Sequence, residues 1–456
     1  MSNEVQSMRN GRAAALVAAI SLSAGMGDAK PLPRPDPFPT GGLEQGEVVL
    51  SSPRPAPRAI LATKTPPEAL MPETADAASN TGSEPFDVWA VRFRDRALSA
   101  GVPSSTVEGA LYGVRPVPKV IERDRNQSEF TKALWDYLDT AVSDARIRNG
   151  RAALRAHADT LEAVERRWGV EKEIVAAVWG LESAYGAVRG SDPVIASLAT
   201  LAHEGRRQAF FEEQLLAALQ ILAAGDTTSD RMRGSWAGAM GHTQFMPTSF
   251  LEFAVDHDGD GRRDIWGDDP TDALASTAAY LSRHGWTAGR PWGFEIRLPD
   301  GFDYASAGER IKKTAAEWTA LGVRDADGEP LADHGPMSVL LPAGHAGVAL
   351  AITSNFHVLE RYNTADAYVI GVGHLSDRLR GGGPFRAVWP REDRALFRAE
   401  RVELQRRLTA AGFDTLGVDG RIGPNTQEAV RHFQRARGMV PDGYASLVVL
   451  ARLRGS

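Results

Sequence analysis

Residues 178–190 read VWGLESAYGAVRG, and their one carboxylate, Glu182, stands among apolar, aromatic and small residues. The surrounding segment, EKEIVAAVWGLESAYG from Glu171 to Gly186, opens with acids and closes on a glycine, the pattern of an apolar helix with a glycine stop. Ile174, Val178 and Glu182 are spaced i, i+4, i+8 and share one helix face. An acid in line with two aliphatics is poorly solvated, and the last turn of a helix is its negative end. Both effects favour the neutral acid and raise its pKa above the ordinary value of about 4.3, as a general acid working near neutrality requires. A partly exposed helix-end glutamate would read the same way in this segment alone.

Helical spacing continues on either side. In GRAALRAHADTLEAVERRWG, residues 150–169, Leu154, Leu161, Val164 and Trp168 recur at helical intervals and Gly169 is placed to end the run. Further helices are expected around 209–223, 271–284 and 355–379. Residues 293–353 switch to short runs, GFEIRLP, MSVLLP and GVALAIT, divided by Gly, Pro and Asp turns, and predict a small sheet. The fold class is therefore mainly α, an α+β body with a small β insertion.

The ends have a different character. Arg9 and Arg12 precede AAALVAAISLSAGMGDA, so residues 1–29 are expected to be an export signal, too short and too rich in small residues for a membrane span. Residues 30–83 are dominated by Pro, Ser, Thr and Gly without a period and predict an extended linker. The glycine run RGGGPF, residues 380–385, is expected to separate a body at 84–388 from a tail module at 395–456. In that tail Leu404 and Leu408, then Ala429, Val430 and Phe433, then Leu447, Leu450 and Leu453 mark three short helices.

The 456 residues carry a net charge of −6, which gives no footprint for nucleic acid. The sequence contains no cysteine, which excludes disulfides, thiolate chemistry and lipidation on cysteine.

Two further stretches carry chemistry. GSWAGAMGHTQFMPTSF, residues 234–250, packs small residues around Ser235, Thr243 and Gln244, so a bulky ligand can approach the backbone while Ser and Gln offer directional hydrogen bonds. A tight helix crossing built from small residues is the competing account. DHDGDGRRDIWGDDPTDA, residues 256–273, places Asp256, Asp258 and Asp260 at alternate positions with Gly261 next, as in an EF-hand loop, where Arg262 would offer its backbone carbonyl. Oxygen-only donors suit a structural Ca²⁺. Gly267 stands where that loop expects its bidentate glutamate.

The segments VWGLESAYG, GSWAGAMGHTQFMP, DHDGDGRRDIW, ALASTAAYLSRHGW and SNFHVLERYNTADAYVIGVGHL together resemble the B-type lytic murein transglycosylases, in that family's order and over most of residues 85–380. The resemblance implies a lysozyme-like helical catalytic domain with Glu182 as catalytic acid and base. It points to Ser235, Gln244, Tyr280, Tyr362, Asn363 and Tyr368 as glycan contacts, and His242 is expected to line the groove. By the same analogy Asp272 closes the metal loop, with Asp268 and Asp269 as alternatives. The tail is similar to the peptidoglycan-binding domain 1 family through G-x-x-T-x-x-A-V-x-x-F-Q, carried from Gly423 to Gln434. The implied partner is the glycan strand of peptidoglycan, and the implied compartment is the periplasm.

The resemblance also fits a physical peculiarity. Most glycosidases need two carboxylates, and neither glycan-site segment offers Glu182 a companion. One acid suffices if the sugar's N-acetyl oxygen and 6-hydroxyl do the rest, which gives a 1,6-anhydromuramoyl end. A hydrolytic muramidase that uses water, and a non-catalytic wall-binding scaffold, are the alternatives.

Overall fold

The computed structural model describes residues 84–126 and 132–455; the export-signal and linker expectations lie outside the described residues. The helix that carries Glu182, Lys172–Ser183, is the centre of the body, with every residue from Ile174 to Gly180 buried. Around it pack Asp144–Ala156, Ala158–Trp168, Thr271–Arg283 and Asp366–Arg380. Burying each large aliphatic of this helix is worth roughly 1.5–3 kcal/mol, so the Glu182 turn rests on a firmly held helix. Val194–Glu204 and Gln208–Ala224 form an adjoining antiparallel pair.

Three helix boundaries differ from the sequence expectation. The run 150–169 breaks at His157 (φ −117°), which separates Asp144–Ala156 from Ala158–Trp168; Gly169 ends the second as expected. The Glu182 helix stops at Ser183, three residues before Gly186, because Ala184 and Tyr185 take left-handed φ values of 51° and 61°. Residues 355–379 divide into Ser354–Tyr362 and Asp366–Arg380, since the Asn363 Oδ1 accepts the Ala365 N–H at 3.1 Å and turns the chain.

The β insertion is a four-stranded antiparallel sheet in the order Arg324–Asp325, Gly293–Arg297, Ala349–Ile352, Ser338–Leu340. Its other face is closed by a short helix the periodicity did not announce, Ala315–Ala320. That helix is started by a reciprocal Thr314–Glu317 capping box. Trp318 fills the insertion's own core with Ile296, Phe302, Met337 and Val339.

The tail is a three-helix unit, Arg398–Ala410, Pro424–Ala436 and Leu447–Arg454, around Leu404, Leu408, Val430, Phe433 and Leu450. Two buried glutamines clamp its two Asp-Gly turns. Gln405 Nε2 donates to Asp419 Oδ1 at 3.0 Å and Gln434 Nε2 to Asp442 Oδ1 at 2.7 Å, while their Oε1 atoms accept Gly420 and Gly443 N–H. The stretch after the glycine run is tied to the body: Phe385 stacks on His374 at 4.0 Å and Arg391 pairs with Asp139. Asp442 then accepts both the backbone N–H and Nδ1 of His345, at 2.9 and 2.6 Å. The glycine run was expected to separate body from tail; the stretch after it lies against the body as a strap.

Candidate active site

Glu182 lies in the last turn of its helix, partly open to solvent and flanked by buried side chains. Its Oε1 accepts the Tyr368 hydroxyl at 2.6 Å. Burial raises its pKa from 4.5 to about 8, and the Tyr368 hydrogen bond partly opposes that rise. Glu182 is thus mainly protonated at neutral pH, with a donor already aimed at the oxygen that becomes charged. Among the described residues no second carboxylate contributes to the shift.

The turn is locked from both sides. Tyr185 folds back over Gly180, where an added Cβ would meet its ring at 2.6 Å, and its hydroxyl donates to the Arg146 carbonyl at 3.0 Å. Arg146 Nη1 in turn donates to the Gly180 carbonyl. On the other side Ser183 Oγ donates to the His242 carbonyl and accepts the Gly186 N–H. Two successive left-handed non-glycine residues cost on the order of 1–3 kcal/mol each, so these bonds hold strain directly beside the acid.

Three tyrosines face Glu182. Tyr368 touches it, and Tyr362 is parallel to Tyr368 with centroids 6.4 Å apart. The acid's charge contributes to the raised pKa of both, and of Tyr137 on helix Leu134–Ala141, after burial as the main cause. Tyr137 escaped the sequence reading. It sits on the short helix Leu134–Ala141, and the packing of its ring toward Gly371 brings it to the site.

The other expected contacts are distributed less uniformly. Tyr362 donates to the Thr243 carbonyl at 2.6 Å, which ties its ring to the glycine-rich loop. Gln244 (φ 55°) follows; its Nε2 donates to the Arg189 and Gly241 carbonyls, and its Oε1 has no partner among the described residues. Ser235 is 5% exposed and its Oγ accepts the Ala239 N–H at 3.0 Å, closing the loop on itself. Asn363 is buried and makes the helix break already described. Tyr280 is buried edge-on beneath Tyr362, 5.0 Å between centroids, and its hydroxyl donates to the Arg361 carbonyl. Its position is that of a support for Tyr362, in place of the direct glycan contact expected.

His242 needs the firmest correction. It is 3% exposed and does not line the groove. Its Nδ1 accepts the Trp179 Nε1–H at 3.1 Å, so Nε2 carries the proton and donates to the Gly267 carbonyl at 2.8 Å. Burial lowers its pKa and keeps it neutral. The imidazole is a strut from the Glu182 helix to the acidic loop, and Gly186 (φ 84°) has no room for a Cβ because that ring lies 2.6 Å away.

In the acidic loop Asp256, Asp258 and Asp260 bring carboxylate oxygens within 4.8 Å of one another. Asp272 stands behind them: its two oxygens accept the His257 and Asp264 N–H at 2.7 and 2.9 Å, which staples the loop's arms to the helix Thr271–Arg283. It is buried, and that burial raises its pKa to about 6, with the Asp258 charge adding to the rise. A bound cation would relieve this crowding of negative charge, so the donor set fits one. Asp268 pairs with Arg189 and Asp269 caps the Thr271 helix, so both alternatives are already used.

Comparison with known proteins places both parts of the chain in families. Residues 85–377 match the transglycosylase SLT domain family and residues 398–453 a peptidoglycan binding domain family. The chain is 32% identical over 252 residues to membrane-bound lytic murein transglycosylase B of Escherichia coli strain K12, covering 53% of this chain and 66% of that protein. SltB3 of Pseudomonas aeruginosa, solved in complex with NAG-anhNAM-pentapeptide, is 49% identical with a TM-score of 0.80, over 81% of this chain and 100% of that one. The Escherichia coli lytic transglycosylase Slt35 in complex with calcium is 28% identical with a TM-score of 0.56, over 64% of this chain and 92% of that one. With a family match over more than half its length, and an acid seated among tyrosines at the end of a buried helix, this chain belongs to the transglycosylase SLT domain family.

Proposed function

We propose that the protein is a lytic murein transglycosylase in which Glu182 serves as acid and then as base. The observation that carries the reading is a single carboxylate, held by Tyr368 and raised in pKa by burial, with no second carboxylate among the described residues acting on it. Glu182 gives its proton to the oxygen leaving C1 of N-acetylmuramic acid as that C1–O bond breaks. The N-acetyl oxygen stabilises C1 meanwhile, and Tyr368 stabilises the new carboxylate. The carboxylate then takes the proton of the same sugar's 6-hydroxyl, whose oxygen bonds to C1 and leaves a 1,6-anhydro end. No water is consumed and Glu182 is again protonated. Tyr362, Tyr137, Gln244 and Ser235 bind glycan around this centre, and the complex of SltB3 with NAG-anhNAM-pentapeptide supports that choice of ligand.

The same reading gives residues 84–388 the chemistry and 395–456 the hold on the wall. Asp256, Asp258, Asp260, the Arg262 carbonyl and Asp272 would bind Ca²⁺, Asp272 also bracing the loop, in line with the calcium complex of Slt35. Bound Ca²⁺ would supply charge neutralisation and loop rigidity only. A murein substrate assigns the enzyme to the periplasm; no helix among the described residues is long and apolar enough to cross a membrane. Mass spectrometry of products from purified sacculi is the test. Anhydro ends, lighter than hydrolytic ends by one water, are expected, and hydrolytic ends alone would replace the reading with a muramidase.

A further inference from the structure

A third group of chemistry-bearing side chains lies away from both the groove and the acidic loop. Glu309 of the β insertion meets His357 and Glu360 of helix Ser354–Tyr362, with one ligand atom from each within 4.8 Å of the others, all three half-buried. His357 and Glu360 are three apart on one helix and so point the same way, with Nδ1 and Oε2 2.6 Å apart. That helix is held by its buried Phe356, Val358 and Leu359.

Glu309 comes from a pinned backbone. The Ser338 hydroxyl donates to its carbonyl at 2.9 Å, and the preceding Gly308 N–H donates to the Val339 carbonyl at 2.8 Å. Ser338 is buried in the edge strand, so the carboxylate reaches the helix from a rigid base. Two carboxylates and an imidazole are thereby brought together across the junction of insertion and body.

We propose that Glu309, His357 and Glu360 form a second metal site, for a divalent transition ion of the Zn²⁺ class, distinct in chemistry from the acidic loop. An imidazole with two carboxylates is a donor set for Zn²⁺ or its neighbours, whereas Ca²⁺ takes oxygens alone. Tetrahedral Zn²⁺ at about 2.0–2.1 Å from each ligand sets ligand atoms roughly 3.3 Å apart. The observed spacings of 2.6 Å and up to 4.8 Å bracket that value, so side-chain rotation alone can seat the ion. Occupancy clamps the insertion to the helix that ends in Tyr362, and water completes the fourth position. The site needs no role in bond cleavage.

The test uses the full chain, stripped with EDTA and then saturated with Ca²⁺ so that the acidic loop is not available. Calorimetric titration with Zn²⁺ is expected to show one equivalent. His357→Ala and Glu360→Gln should each weaken it by at least about tenfold, in keeping with the loss of a ligand from a small site. Glu309→Gln should do the same, and because it lies outside the helix it guards against a misfolded helix variant; cooperative unfolding in EDTA shows that each variant is folded. His432 is the control, since it faces Glu428 at 3.2 Å in the tail without a third ligand among the described residues. His432→Ala should leave the equivalent intact, and Co²⁺ in place of Zn²⁺ should show a visible spectrum that His357→Ala abolishes. Absence of Zn²⁺ binding overturns the proposal, as does binding that survives all three ligand variants or is lost in His432→Ala.

Discussion

Replacing Glu182 by Gln separates the chemistry of this site from its architecture. The amide keeps the side chain's length, and its oxygen can still accept the Tyr368 hydroxyl now 2.6 Å from Glu182 Oε1. Only the transferable proton and the potential charge are removed. Proton transfer by one positioned group is worth about 10²–10⁴-fold, and the same group serves both halves of this reaction, so at least a ~10³-fold loss of turnover is expected. Stability should move the other way, and only at high pH. The folded pKa of about 8 exceeds the ordinary 4.5, so between these values the folded protein holds a proton that the unfolded chain has lost. Wild-type stability therefore falls as pH rises through that window, and the penalty is complete above about pH 8. At 1.36 kcal/mol per unit the ceiling is about 5 kcal/mol; water entering from the groove and the Tyr368 bond reduce the expected gain for the variant to about 1–3 kcal/mol at pH 9. Below pH 4.5 both side chains are neutral and the two proteins should unfold alike. Urea unfolding at pH 4 and pH 9, beside anhydro-product formation from sacculi, measures both effects. A variant that keeps a tenth of the activity, or that gains no stability at pH 9 over pH 4, would refute the reasoning.

Tyr368→Phe removes the donor that stabilises the Glu182 carboxylate, so activity should fall about 10–100-fold, from the roughly 1.5–3 kcal/mol of a hydrogen bond to a charged group. Since that bond lowers the Glu182 pKa, the alkaline limb of the pH–rate profile should move to higher pH; an unmoved limb would assign the tyrosine to packing. His242→Ala leaves the Trp179 N–H and the Gly267 carbonyl without their partner and opens a cavity, so unfolding measurements should show a loss of about 2–4 kcal/mol. An effect on glycan affinity with stability unchanged would restore His242 to the groove. EDTA should lower the melting temperature and Ca²⁺ restore it, since Ca²⁺ at a hundred times its Kd adds about 2.7 kcal/mol; no response at any Ca²⁺ level would leave the acidic loop a solvated turn. Deleting residues 395–456 removes the Asp442–His345 contact but no group beside Glu182, so cleavage of short soluble glycans should persist while binding to sacculi weakens. Equal loss on both substrates would make the tail part of the catalytic fold.

The sequence by itself determined what short-range periodicity can carry. An acid in line with Ile174 and Val178 sits on a buried helix face because 3.6 residues per turn leave no other place for it. Alternate aspartates around Gly259 and Gly261 bring Asp256, Asp258 and Asp260 together because their side chains need only a local turn. The tail's three apolar clusters become three helices for the same reason. What only the tertiary structure decided are contacts between residues far apart in the chain. Tyr137 reaches the acid from 45 positions upstream, and nothing local marks it. His242 looked like a groove residue between two small neighbours; long-range bonds to Trp179 and Gly267 make it a buried strut. Tyr280 and Tyr362 are indistinguishable as letters, yet one lies beneath the other. Helix ends at Ser183 and Asn363 likewise escaped the pattern, because a helix stops where side chains such as Tyr185 and Asn363 gain more from partners outside it than from one more turn.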